Sequence, residues 1–224
     1  MGICHKRHIE IIIDEHGGLA TKMNNSIRVE TFGKNLLEGM AVQPSFKALH
    51  LQLKDYRFNV SYNHDREIWL TCVLALQSVT LGNFGVGCII TDNDNTLVSY
   101  GNNQVFYPLF RSDFHAEMVT LNHFESIVKP PVVSGYKLFT SLEPCPMCLA
   151  RILNSGIPEV FFAADDEEGG MVHLKEALPK VWVEMMENRR IGRANCSQKL
   201  IAISEMLAEM NRETLDDRLK KRSG

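Results

Sequence analysis

The sequence has no apolar run near the roughly twenty residues a membrane-crossing helix needs; the longest, around Val86 to Ile90 and Val160 to Ala164, are strand-sized. It has no excess of positive charge. Lys and Arg number 24 against 27 Asp and Glu, a formal net charge of -3, which argues against a surface built to grip many phosphates. The stretch Met1 to Arg7 lacks the basic, apolar and cleavable parts of a secretory signal, and Lys6 stands where a myristoylation motif wants Ser or Thr. The six cysteines, at 4, 72, 88, 145, 148 and 196, have no framework spacing. These absences lead to the expectation of a cytoplasmic protein without membrane association. There a Cys-x-x-Cys pair serves a metal or a redox reaction rather than a structural disulfide.

What is present is an ordinary globular composition, 45% hydrophobic and 23% charged over 224 residues, enough for one domain with a small appendage. Residues 1 to 62 are expected to form that N-terminal appendage. Within them Ile9 to Ile13 reads as a strand closed by Asp14-Glu15-His16-Gly17-Gly18, and Leu49, Leu51 and Leu53 alternate as in a half-buried strand, with a helix from Phe46 in competition. From residue 63 to 224 the pattern sharpens. Ile68, Trp69, Cys72, Val73, Leu76 and Val79 predict a helix to about Thr80, followed by strands at Val86 to Thr91 and Leu97 to Tyr100. A helix starting near His115, a strand at Lys137 to Leu142, a helix at Cys145 to Asn154 and a strand at Glu159 to Asp165 come next. Leu174 to Asn188 reads as helix broken by Pro179, and a long C-terminal helix begins at Asn195 or Ser197 and runs through about Leu219. Lys220 to Arg222 reads as a solvated basic tip. Strands alternating with helices imply an α/β layered sheet.

Two segments carry the chemistry: His115-Ala116-Glu117 and, some thirty positions on, Pro144-Cys145-Pro146-Met147-Cys148. Cysteines at i and i+3 of a helix start face one point, and the positive helix end favours their thiolates. A histidine from a second helix start completes three sides of a tetrahedron and leaves the fourth for water, as in a catalytic zinc site. Glu117, two positions past the histidine, projects elsewhere and is free to move protons. A structural site would need a fourth protein ligand, for which His123 and His173 are the candidates. Cys4, His5 and His8 have no such fourth partner, and Cys72 and Cys88, set in apolar segments, read as core residues.

The order His-x-Glu followed by Pro-Cys-x-x-Cys resembles the signature of zinc deaminases. With Val86-Gly87, Gly101-Asn102-Asn103 and Ser141-Leu142-Glu143 it resembles the cytidine deaminase-like superfamily, in the branch of tRNA adenosine deaminases, guanine deaminases and fungal-type cytosine deaminases. The resemblance implies an α/β/α three-layer sandwich with a mixed five-stranded sheet, Zn2+ on His115, Cys145 and Cys148, and a homodimer or higher oligomer. It further implies that Asn103 and the Ala116 backbone hold the base and that Phe84 or Phe114 lines the pocket. Glu117 takes a proton from the activated water and delivers it to a ring nitrogen and then to the departing amine.

The expected reaction is hydrolytic deamination of a free nucleobase, nucleoside or related aminated heterocycle. Guanine deaminases share Phe161-Phe162-Ala163-Ala164, but Glu167-Glu168-Gly169-Gly170-Met171 replaces their acidic element, and no tyrosine follows Tyr136. tRNA editing is disfavoured by the mixed charge of the C-terminal helix. The reading outside enzymes is a non-catalytic, zinc-stabilised partner subunit.

Overall fold

The computed structural model describes residues 27–223, and before them the backbone of two short strands, β1 (Ile12–Ile13) and β2 (Leu19–Ala20), paired antiparallel. The strand expected at Ile9 to Ile13 is thus seen in its last two residues, and Cys4, His5 and His8 lie outside the described residues. Strand β3 (Ile27–Arg28) leads into helix α1 (Val29–Gly39), and α2 (Lys47–Lys54) follows. At α2 the helix wins over the alternating-strand reading. Leu49 and Leu53, four apart, are buried, while Leu51 between them is 46% exposed. A strand would put all three on one face; a helix puts only the i, i+4 pair there.

Helix α3 (Asp65–Thr80) is apolar around nearly its whole circumference and is correspondingly buried, the pattern of a helix enclosed by other elements. Its core residues share one apolar cluster with Val29, Leu37, Leu49 and Leu53, so α1 and α2 pack on it. Strands β4 (Gly87–Thr91) and β5 (Thr96–Asn102), helix α4 (Ala116–His123), strand β6 (Lys137–Leu142), helix α5 (Pro146–Ser155) and strand β7 (Glu159–Ala164) come next. Then follow α6 (Lys180–Glu187), β8 (Arg190–Arg193), α7 (Gln198–Glu209) and α8 (Arg212–Lys220).

The sheet runs β5-β4-β6-β7-β8, with antiparallel pairing at β5–β4–β6 and parallel pairing at β6–β7–β8. This is the expected mixed five-stranded sheet, and the two residues of β3 extend its β5 edge. Alternation along the strands makes the layers. Ile89, Phe139 and Phe161 join the cluster of α3 and α7, whereas Cys88, Ile90, Leu138 and Val160 join Ala116 and Leu121 of α4 and Ile152 of α5 on the other face. Strand β8 has no residue-level signal: Arg190-Ile191-Gly192-Arg193 is short and polar, and it is a strand because the edge of β7 accepts it in parallel register.

Two glycines permit the close packing that places the site. A Cβ on Gly87 would run into the Thr71 carbonyl and Leu74, so only glycine lets β4 lie this near α3. A Cβ on Gly101 would stand 2.7 Å from Thr120 Oγ1 and 3.0 Å from the Ala116 carbonyl, so its absence seats the start of α4 on β5. The C-terminal helix begins as expected at Ser197, whose side chain accepts from the Leu200 N–H, but it bends at Met210–Asn211. Asn211 takes φ +65°, a conformation that asparagine tolerates better than most residues, and α8 leaves in a new direction. No helix among the described residues is long and apolar enough to cross a membrane.

Candidate active site

Helices α4 and α5 start side by side, with His115 and Cys145 as their N-cap residues in extended conformation. Pro146 at the first helical position of α5 suits a site where no N–H partner is needed. The ligand atoms of His115, Cys145 and Cys148 all lie within 4.8 Å of one another, and they are the one such group among the described residues. One imidazole nitrogen and two sulfurs are a donor set for zinc. Neither proposed fourth ligand joins them: the His173 ring bonds to Glu143, and His123 Nδ1 meets Ser99 Oγ at 2.9 Å. The donor set therefore fits an ion with an open position rather than a closed structural site.

The two thiols are not equivalent, although the helix ends alone would favour ionising both. A hydrogen bond from Cys148 and the nearby His115 hold Cys145 down to about 4, its Sγ standing 3.6 Å from His115 Nδ1. That same bond to Cys145, with burial, pushes Cys148 well up. Burial acts to lower His115, and the Cys145 hydrogen bond and charge outweigh it, so the imidazole is raised. Glu117, 3% exposed in the first turn of α4, is pushed up by burial first and by the Cys145 charge second. Its Oε1 accepts from Thr140 Oγ1 at 3.0 Å and its Oε2 from Cys148 Sγ at 3.3 Å.

These groups open on a cavity of about 260 Å3 whose walls include Phe84 and Asn103. Ser78 Oγ lies 2.7 Å from the carbonyls of both Phe84 and Asn103, tying the cavity floor to the end of α3. Asn103 is 2% exposed and its Oδ1 accepts from the Val105 N–H. Ala116 is fully buried at the start of α4. Phe114 is not part of the wall; its ring lies under Arg111 at 3.9 Å.

Three further groups had no individual signal in the sequence. Asn83 accepts from the N–H groups of Phe106 and Tyr107 at 2.8 and 3.0 Å and shapes the loop before His115. Glu143, 3% exposed, gathers the loop after β7: it accepts from the Asp166 N–H at 3.2 Å, the His173 N–H at 2.8 Å and the His173 ring at 2.9 Å. Its place inside the Ser-Leu-Glu-Pro-Cys stretch was the available hint. Helix α8 supplies the last wall through Arg212, Asp216 and Leu219. Arg212 bonds to Asp166, while Arg218 and Arg222 lie over the rings of Phe106 and Phe110 at 4.2 and 3.6 Å. The C-terminal basic tip is thus partly spent on aromatic faces rather than wholly solvated.

Residues 63–164 match the family described as the cytidine and deoxycytidylate deaminase zinc-binding region. The tRNA-specific adenosine deaminase of Rickettsia bellii is 32% identical over 90 residues, which are 39% of this chain and 60% of that protein. The chain thus spans less than two thirds of that relative. A guanine deaminase structure from Nitrosomonas europaea aligns with TM-score 0.53 and 18% identity over 75% of this chain and 94% of that one. A structure from studies of tRNA:A34 deaminases aligns with TM-score 0.50 and 19% identity over 64% of this chain and 98% of that one. At these identities the two structures speak for the fold alone.

Proposed function

We propose that the chain, whose residues 63–164 match the cytidine and deoxycytidylate deaminase zinc-binding region, is a zinc-dependent hydrolytic deaminase of a free nucleobase, nucleoside or related aminated heterocycle. The observation that carries this reading is the cavity in which His115, Cys145, Cys148 and the buried Glu117 meet beside α8. A cavity of about 260 Å3 is at the small end of ligand sites, which usually measure about 300–1,000 Å3.

In the proposed mechanism a ring nitrogen of His115, Cys145 Sγ and Cys148 Sγ would hold the metal. When bound, zinc supplies Lewis acidity that brings the pKa of water toward neutrality. Cys148 must give up its proton to serve as a ligand, which releases Glu117 Oε2 from its present partner. That oxygen then takes a proton from water as the water oxygen adds to the amine-bearing ring carbon, and delivers it to the adjacent ring nitrogen; it next carries the remaining hydroxyl proton to the amine, so that the C–N bond breaks and ammonia departs. Thr140 holds Oε1 throughout and keeps the carboxyl aimed. Asn103 and the backbone at Ala116 orient the heterocycle, and Phe84 packs on its face. Val29, Leu37, Leu49 and Leu53, in one cluster with α3, support reading the later part of residues 1 to 62 as a docked cover of the domain from residue 63 onward. A homodimer or higher oligomer is part of the proposal and is checked by sedimentation.

The test is ammonia release over cytosine, guanine, adenine, their nucleosides and aminotriazines by zinc-loaded protein. Activity on one class, lost in Glu117→Ala, is expected; no activity on any, with the variant indistinguishable from the parent, sinks the reading. A second reading, conversion of adenosine to inosine in tRNA, is favoured by the Rickettsia bellii relative. Opposed to it are the position of α8 across the cavity and the carboxylates that helix carries. Retention of tRNA at low salt together with inosine formation in a stem-loop would decide for it.

A further inference from the structure

Four carboxylates line the cavity that holds the metal donors: Glu117, Glu143, Asp166 and Asp216. Three are already engaged. Glu117 accepts from Thr140 and Cys148, Glu143 from the Asp166 N–H and from His173, and Asp166 Oδ1 from the Gly169 N–H and Arg212. Asp216, half-buried on α8, has no hydrogen bond or ion pair among the described residues.

The residue that would ordinarily seize a phosphate here is committed elsewhere. Arg212 is the one arginine or lysine in the cavity wall, and it is held by Glu209 at 2.8 Å, Asp166 at 3.3 Å and Glu168 at 3.5 Å. Beyond the mouth the same negative character continues. An adjoining groove of about 590 Å3 shares Asp166, Arg212 and Asp216 with the cavity and is walled further by Glu167, Glu168, Glu213 and Asp217. Lys220 also lines the groove and pairs with Asp217, but among the described residues Glu167 and Glu213 have no ion pair, so carboxylates outnumber cations at the entrance.

We propose that Asp216 sets the charge class of the substrate: the cavity takes uncharged aminated heterocycles and turns away phosphate-bearing ones. The inference rests on the deaminase reading for its meaning but not for its test. Two like charges about 4–6 Å apart weaken binding by about fivefold in water-like surroundings and by about a hundredfold or more where water is partly excluded. An uncharged heterocycle meets no such penalty, and any N–H it presents to Asp216 finds a carboxylate with its lone pairs unused. The phosphates of an RNA loop would face the same carboxylate and the groove beyond it.

The experiment measures binding rather than turnover. Zinc-loaded full-length protein carrying Glu117→Ala is titrated calorimetrically with the base, nucleoside and 5′-monophosphate of cytosine, guanine and adenine, at low and high salt. The tightest uncharged ligand is expected to bind about tenfold or more above its monophosphate, and added salt narrows the gap. Adding Asp216→Asn, or Asp216→Ser as a second neutral replacement, closes most of the gap and removes its salt dependence. Glu187→Gln, the same charge change on the exposed end of α6 outside both the cavity and the groove, leaves the gap within about twofold. Monophosphates binding as tightly as the uncharged ligands would overturn the proposal and assign Arg212 as a phosphate anchor. It would equally fall if neutralising Asp216 left the gap intact, or if no member of the series bound. Absence of ammonia release by protein with Glu117 intact would count against the deaminase reading alone, since the binding gap is read without it.

Discussion

Thr140 Oγ1, pointing from β6, donates to Glu117 Oε1 at 3.0 Å, and both side chains are buried. The bond joins the central sheet to the one carboxyl in the first turn of α4 and fixes which oxygen is left to face the metal donors. Thr140→Val keeps shape and removes the donor, so kcat is expected to fall about tenfold or more, the value of a hydrogen bond to an ionisable group at about 1.5–3 kcal/mol. Zinc content should stay at the parent level. An unchanged kcat would mean that Glu117 is aimed by its backbone alone.

Removal of the metal should cost stability as well as activity, because His115, Cys145 and Cys148 come from two separate helix starts that a shared ion would tie together. Treatment with a strong chelator is expected to lower the melting temperature and abolish ammonia release, with both restored by zinc. Cys145→Ser should lose most of its zinc by atomic absorption while retaining the far-ultraviolet circular dichroism of the fold.

Glu143 collects three donors from the loop after β7, and Gly170 lies so close that a Cβ there would stand 2.5 Å from the Glu143 carboxyl carbon. Glu143→Ala leaves those donors without their acceptor and is expected to destabilise the protein by about 2–4 kcal/mol. Hydrogen exchange should accelerate first at the backbone of Asp166 and His173, whose N–H groups lose the bond, before the sheet is affected.

His64 packs against a stacked pair of phenylalanines, 4.2 Å from the Phe161 ring centroid and 5.3 Å from that of Phe139, and its Nδ1 accepts from the Asn195 N–H at 3.1 Å. Protonation would forfeit that bond. Burial, then the charges of Arg190 and Lys137, lower its pKa from 6.5. Between the folded and unfolded values the unfolded chain binds more protons, so the His64 contribution is complete above about pH 6.5 and lost as pH falls below it. Denaturant unfolding across this range should show stability declining with acidification, and His64→Gln, which can still accept from Asn195, should flatten the decline relative to the parent.

The site was legible to the extent that local chemistry announces itself. His115, Glu117, Cys145 and Cys148 fall at helix starts because Pro146 and the apolar spacing behind them demand helices there, and the structure brings the three donors within 4.8 Å. Strand β6 and most helix boundaries were equally readable from periodicity. Alternation misled at α2, where leucines two apart served a helix of which only the outer pair is buried. Strand β8 gave no warning, since a short polar segment becomes a strand only when a neighbour offers an edge. Phe114 looked as suitable a pocket wall as Phe84, and only the path of the loop between Asn103 and His115 separates them.

By itself the sequence determined the candidate metal donors, the proposed proton carrier and the layered α/β class, because ligand identity, helix capping and hydrophobic period are properties of neighbouring residues. Tertiary structure alone decided what surrounds them. The bend at Asn211, a single residue with φ +65°, turns α8 across the cavity and sets Arg212, Asp216 and Leu219 into a wall whose partners are many positions away in the chain. Charge that reads as evenly mixed along a helix becomes one-sided at the cavity, since Arg212 is spent on carboxylates and Arg218 and Arg222 on aromatic rings, while Asp216 is left facing the site.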